Sequence, residues 1–443
     1  MRNKFDSNIK TARETRATKG MVIKMKRILS CLLLVCLLLA GCAGEQGGTN
    51  VTSEDIEAKD LLSPIKKEEV EVTGIERSYE GLMTSLGVKL MQETLEAETE
   101  TKNVLISPLS ILYAMAMVSN GADDREAVKA YWGDTDPLHI NEFMLEYASA
   151  LPQGEDYKLQ LANSVWFTEH DRFTVNENFL QTVKNYYDAD VYQAPFDEET
   201  CKDINEWVEW KTDGMIKDIL DKIPEDAVMY LINALAFEAE WLSTYDETQV
   251  RKGTFTKADG TQQKVDFMYD TVGTYLEDDH ATGFVRYYKG MKYAFAAMLP
   301  KEGITPEEYI ASLDGEALNA MLKNPVNTSV VTSIPVFQAE YDVEMKDVLG
   351  KAGYPAYGTF NGVGTSTRGD IVIGRILHKT FIQVGPQGTK AGAATVVEML
   401  DECAPVEPEK PKEVHLNRPF VYMLIDCERG IPFFIGVTHD VEK

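Results

Sequence analysis

Between two segments that read as strong β-strands, 371–384 and 418–438, lies a thirty-residue stretch, 385–414, whose first half is built almost wholly of small side chains. It runs Gly388-Thr389-Lys390-Ala391-Gly392-Ala393-Ala394-Thr395-Val396-Val397-Glu398-Met399. Loops of this length inside compact domains are functional or disordered. At a period of two, the odd positions Thr389, Ala391, Ala393, Thr395, Val397 and Met399 are small or apolar, and both charges, Lys390 and Glu398, fall on even positions. That is strand alternation in a connecting segment. Side chains this narrow cannot build a core of their own, yet they would fit between two existing strands. The parity fails at Asp401, so the insertable stretch ends near Leu400. The second half, with Pro405, Pro408 and Pro411 among acids, cannot enter a sheet centre. Composition alone also allows a helix, since Ala and Met favour it, or a disordered linker.

The other end of the chain reads as an export signal. Lys24, Lys26 and Arg27 precede an uncharged run from Ile28 to Ala40, which ends in Leu39-Ala40-Gly41-Cys42. Thirteen residues are too few to span a bilayer as a helix, which takes roughly 20. The ending resembles a bacterial lipobox, so residues 1–42 are expected to be a lipoprotein signal with Cys42 as the lipid anchor, and Met21 or Met25 would give a more usual start. The segment 43–77 is rich in Gly, Thr, Ser, Glu and Lys without a period and reads as a flexible tether with a reach of roughly 30 Å. Residues 78–443 show no further low-complexity boundary and read as one large domain.

Helical spacing occurs at 78–97, 107–118, 203–221 and 306–324, and strand-like runs at 229–237, 292–299, 330–340, 371–384 and 418–438, the last turning at Arg429-Gly430. Their interspersion lacks βαβ regularity, which predicts an α+β fold. A net charge of −27 repels phosphates, so nucleic acid is not an expected partner. Beyond the anchor the exported part keeps Cys201, Cys403 and Cys427, an odd count without CxxC spacing, so a disulfide framework is not expected, although one pair could oxidise.

The motifs of catalysis are missing. His139, His170, His280, His378, His415 and His439 are scattered singly, which argues against a metal site. Ser63-Pro64-Ile65-Lys66 matches S-x-x-K but lies in the tether, with no Lys-Thr-Gly anywhere. Gly362, Gly364 and Gly369 lack the frame of a phosphate loop. Neither an enzyme nor a cofactor is expected.

A series of short motifs in order, from about 78 to 438, resembles the serpin family. Asn103-Val104-Leu105-Ile106-Ser107-Pro108-Leu109-Ser110 is similar to its N-x-x-x-S-P-x-S segment. Asn163-Ser164-Val165-Trp166, Ile204-Asn205-Glu206-Trp207-Val208, Leu231-Ile232-Asn233-Ala234, Met298-Leu299-Pro300, Ile334-Pro335-Val336-Phe337, Leu377-His378-Lys379, Asn417-Arg418-Pro419-Phe420 and Phe434-Ile435-Gly436 continue it. The resemblance implies a large central sheet with further sheets, surrounding helices and an exposed reactive-centre loop. It implies a suicide inhibitor of extracellular serine proteases, and of cysteine proteases as an extension. A protease cuts the loop, and the freed end inserts into the sheet before the acyl-enzyme hydrolyses. The hinge is then Gly388, Thr389, Lys390, Ala391, Gly392, Ala393 and Ala394. Ser107, Ser110, Asn233 and His378 match the polar shutter, and Trp241 the top of the gap.

Two departures stand out: Pro386 and Lys390 occupy positions where the family usually carries Glu. Neither lies on the odd face, so inhibition is expected to survive. The loop is also longer than usual. Counting from Gly388 places the cleaved bond at Glu402-Cys403, with Met399, Leu400, Asp401 and Ala404 as alternatives, whereas counting back from Pro419 places it in the Pro-rich half. The expected partners are a target protease and, through the anchor, the bacterial cell membrane from its outer side; a monomer is expected. The other reading is a non-inhibitory serpin acting as a binding module or chaperone.

Overall fold

A computed structural model describes residues 52–441 apart from 71, 73–77, 152–153, 155, 171, 225–226 and 390–410. Seven strands form its central sheet: β1 (Lys59–Asp60), β2 (Tyr157–Thr168), β3 (Asp190–Ala194), β4 (Met229–Glu240), β5 (Phe337–Glu344), β6 (Ile376–Gly385) and β7 (Gly388–Thr389). Across the sheet they run β1-β3-β2-β4-β7-β6-β5. A nine-stranded sheet carries the two segments that follow the long loop, Lys412–His415 beside Val326–Pro335 and the hairpin Phe420–Asp426 with Ile431–Thr438. Two strands, Phe173–Val175 and Gly364–Ser366, make a third.

β4 explains why the middle of the sheet reads as one unbroken apolar run: it is buried on both faces. Leu231, Leu235, Phe237 and Ala239 face the main core. Tyr230, Ile232 and Ala234 face a second cluster with Trp166, Ile204, Trp207 and Val208, beneath the helix Glu198–Lys211. Behind the main face lies the helix Pro108–Ser119, every residue of which is buried. Pro108 sits in its first turn, where no N–H is missed, and Ser107 caps it by accepting from the Ser110 N–H at 3.4 Å.

Several expected boundaries move, each for a local reason. The helix expected at 203–221 spans Glu198–Lys211. Asp197 and Thr200 form a reciprocal cap that starts it earlier, and it ends where Asp213 and Gly214 take φ of 49° and 74°. The 306–324 pattern is two helices, Pro306–Ser312 and Gly315–Lys323, because Asp314 caps the second. The run 330–340 divides at Val336 into strands of different sheets.

The tether expected over 43–77 takes the largest correction in its described part. Residues 52–70 lie against the domain, with β1 pairing antiparallel to β3 as an added edge strand. The Leu61 N–H donates to the Val191 carbonyl at 2.8 Å, and the Ala58 N–H to the Asp203 carboxylate at 3.0 Å. Leu62 is buried, Leu61 and Ile65 pack on the main core, and Ile56 and Ala58 on the second cluster. Five apolar side chains spread through a polar segment show no period, yet each finds a place on a surface already built.

Candidate functional site

The reactive-loop candidate begins inside the sheet. β6 ends at Gly385, the chain turns through Pro386 and Gln387, and β7 returns between β6 and β4 with Thr389 opposite Val384 on one side and Ala239 on the other. The first two hinge residues are therefore already strand, and Thr389 is 1% exposed. This differs from the hinge expected as wholly exposed loop. Only glycine fits at 388: a Cβ there would lie 2.0 Å from the Ala239 carbonyl oxygen.

Backbone and aromatic groups hold this turn. The Trp241 ring N–H donates to the Gly385 carbonyl at 2.8 Å and its backbone N–H to the Gln387 carbonyl at 2.9 Å. The Tyr245 N–H donates to the Pro386 carbonyl at 3.0 Å. The hydroxyls of Tyr288 and Thr389 share a hydrogen bond of 2.5 Å. Trp241 stacks on Tyr288 with centroids 4.5 Å apart and planes 5° from parallel. Nearby, Lys289 pairs with Glu240 at 2.8 Å.

Lower in the sheet, β4 and β6 pair directly and in parallel, Leu231 with Ile376 and Asn233 with His378. Here the structure brings the four expected shutter residues together. The Ser107 N–H donates to His378 Nε2 at 3.0 Å, the Ser110 hydroxyl donates to Asn233 Oδ1, and Asn233 Nδ2 donates to the Ser110 carbonyl at 2.7 Å. Burial alone pushes the His378 imidazole down to about 3, so the ring is neutral. Since Nε2 accepts, the proton sits on Nδ1, which has no partner among the described residues. An orphaned buried donor of this kind costs about 1–3 kcal/mol.

Lys390, Ala391, Gly392, Ala393 and Ala394 of the hinge, the bait residues Met399, Leu400, Asp401, Glu402, Cys403 and Ala404, and Cys42 lie outside the described residues. Sequence reasoning missed Asn163, which accepts from Asn233 Nδ2, and the two tyrosines that hold the turn alongside Trp241: Tyr288, which stacks on it, and Tyr245, whose N–H reaches the Pro386 carbonyl. Asn163 had a signal: it opens a polar Asn-Ser pair set between Leu161-Ala162 and Val165-Trp166-Phe167. Cys201 and Cys427 are both free, and no group of three or more potential metal ligands occurs among the described residues.

Comparison with known proteins agrees with this arrangement. The family model described as "Serpin (serine protease inhibitor)" matches residues 82–441. The crystal structure of tengpin, a thermophilic serpin, in its native state superposes with a TM-score of 0.81 at 38% identity, covering 87% of this chain and all of that one. The same protein in its latent state superposes less well, at 0.73. A serpin-like protein of Thermococcus kodakarensis is 28% identical over 93% of this chain and 98% of its own length. Human neuroserpin is 28% identical over 78% and 88% respectively. With the family model covering most of its length and serpin structures superposing on it, the chain belongs to the serpin family of protease inhibitors.

Proposed function

We propose that this chain is a suicide-type inhibitor of extracellular serine proteases, displayed on a bacterial cell surface by lipid on Cys42, with Glu402-Cys403 as the cleaved bond. The observation that carries this is the register of β7. Continuing the pairs Thr389–Ala239 and Thr389–Val384 would place Ala391 between Phe237 and Ile382, and Ala393 between Leu235 and Thr380. Thr395 would come between Asn233 and His378, the pair that closes the shutter. Met399 would come opposite Met229, the first residue of β4, so the length of β4 and the alternation of the loop end at the same residue.

Every odd loop residue in this register meets a β4 residue of the odd set, which faces the main core or the shutter. The charge of Lys390 falls opposite Glu238, on the other face. Hydrogen bonds alone do not drive such insertion. A dozen at a net of about 1 kcal/mol each are opposed by ordering a dozen residues at about 1–2 kcal/mol each. Burial of the odd face and relief of strain elsewhere supply the difference.

The test is incubation with a panel of serine and cysteine proteases. Expected are an adduct that survives SDS, a loop cut within 399–404 by mass spectrometry, and a cut protein that melts well above the intact one. Cleavage with neither adduct nor gain in heat stability would overturn inhibition and leave a binding or chaperone role. Anchoring is read separately: Cys42→Ser should release the protein from the membrane fraction.

A further inference from the structure

Arg286 is a buried cation, 5% exposed, in the layer beneath the hinge. One guanidinium nitrogen donates to the Asp270 carboxylate at 2.5 Å and the other to the Ser243 carbonyl at 2.6 Å. Its guanidinium carbon lies over the ring of Tyr245, 4.0 Å from the centroid, and over that of Trp241 at 5.2 Å. Tyr288, Trp241, Arg286 and Tyr245 thus form a chain of contacts. Three of the four hold the segment 385–389, through the Thr389 hydroxyl, the Gly385 and Gln387 carbonyls, and the Pro386 carbonyl. The hydrogen bonds of Arg286 go to Asp270 and Ser243 and none to the turn, and its Nε–H has no partner among the described residues. It therefore fixes the other rings without being part of the strand that moves.

We propose that Arg286 is the positioning residue of the hinge: through Trp241 and Tyr245 it keeps Gly385–Thr389 docked, so that insertion starts from two residues already in the sheet. A guanidinium suits this place because it pairs with a carboxylate at its edge while offering a planar face to aromatic rings, which an ammonium does not. The kinetic consequence rests on the inhibitory reading. A strand whose first pairs are formed needs no nucleation, so trapping gains on deacylation.

The test uses the full chain with Arg286→Gln and Arg286→Lys. Amide hydrogen exchange of peptides spanning 385–389, measured without protease, should speed up about tenfold in both variants. The number of inhibitor molecules consumed per trapped protease should rise severalfold. The lysine variant keeps the charge beside Asp270 but not the planar face. Wild-type protection in that variant would assign the effect to the ion pair and overturn the proposal, as would unchanged exchange in both. Should Arg286→Gln fail to fold, Arg286→Lys decides by the same measurement. Faster hinge exchange together with a wild type that traps no protease would sink inhibition and leave the clasp standing.

Discussion

The gap between β4 and β6 has two unlike ends. At the top, Ala239 and Val384 are held apart by a two-residue wedge, and what surrounds it is aromatic, with a buried guanidinium and backbone hydrogen bonds. Lower down, Asn233 and His378 touch, and what holds them is a buried network of small polar side chains. A strand entering from the top meets an opening already made. To pass the shutter it must replace hydrogen bonds, and those can be remade by a partner of the right size and polarity. On the proposed mechanism the top would favour the start of insertion, and the lower end would set its selectivity for the residue that arrives.

The largest effect should come from forcing a wrong side chain on the lower end. Thr395→Arg would carry a charge to the place between Asn233 and His378. An unpaired buried charge costs about 3 kcal/mol or more, so the trapped fraction should fall roughly a hundredfold and the protein become a substrate. Glu398→Arg, on the even face, should change adduct yield little. Equal loss in both would mean that parity does not govern entry. Thr389→Arg should also abolish trapping, and in addition expose the hinge before any cut, since Thr389 is buried in the intact molecule.

At the upper end, Gly388→Val sets a Cβ against the Ala239 carbonyl and should expel β7 while leaving the shutter intact. Expected are fast exchange at 387–389 and a severalfold rise in inhibitor consumed per protease trapped. Asn233→Ala makes the opposite change. It strips the Ser110 hydroxyl and the Asn163 carbonyl of their partner and should lower native stability by about 2 kcal/mol, read as a drop of a few degrees in the unfolding midpoint, with hinge exchange unaltered. If either variant moves both readouts together, the two ends are one unit and the contrast fails.

Much of this was legible in the chain. The family motifs point to the sheet gap because each is a short contiguous segment, and of the alternation expected over 389–399 only Thr389 lies within the described residues, as strand. The hairpin at Gly430 and the capped helix at Pro108 follow from turn and cap chemistry, which is also local. What sequence could not supply was pairing between distant positions. Arg286 falls in none of the segments with a helical or strand pattern and gains meaning only when the fold sets it against Trp241 and Tyr245, and Asp203 reads as one more helix acid until the 52–70 segment docks on it. The strap at 52–70 escaped because its few apolar residues are ordered by a neighbouring surface and not by their own spacing.

The smallest expected effect separates the shutter by pH. His378 is held neutral by burial down to about 3, whereas an unfolded chain takes up that proton near pH 6.5. Between these values the unfolded state binds more protons, so native stability rises with pH across the window and falls as pH drops through it. From pH 6 to 5 the loss attributable to this ring is about 1 kcal/mol. Asp203 and Asp426 have carboxyls raised by burial and push the other way at lower pH, so the informative quantity is the difference between wild type and His378→Gln. Glutamine can accept from the Ser107 N–H and does not titrate. Unfolding midpoints of the two proteins should diverge as pH rises from 5 to 7, with the wild type gaining. Parallel curves would mean that burial does not hold His378 neutral in the folded protein.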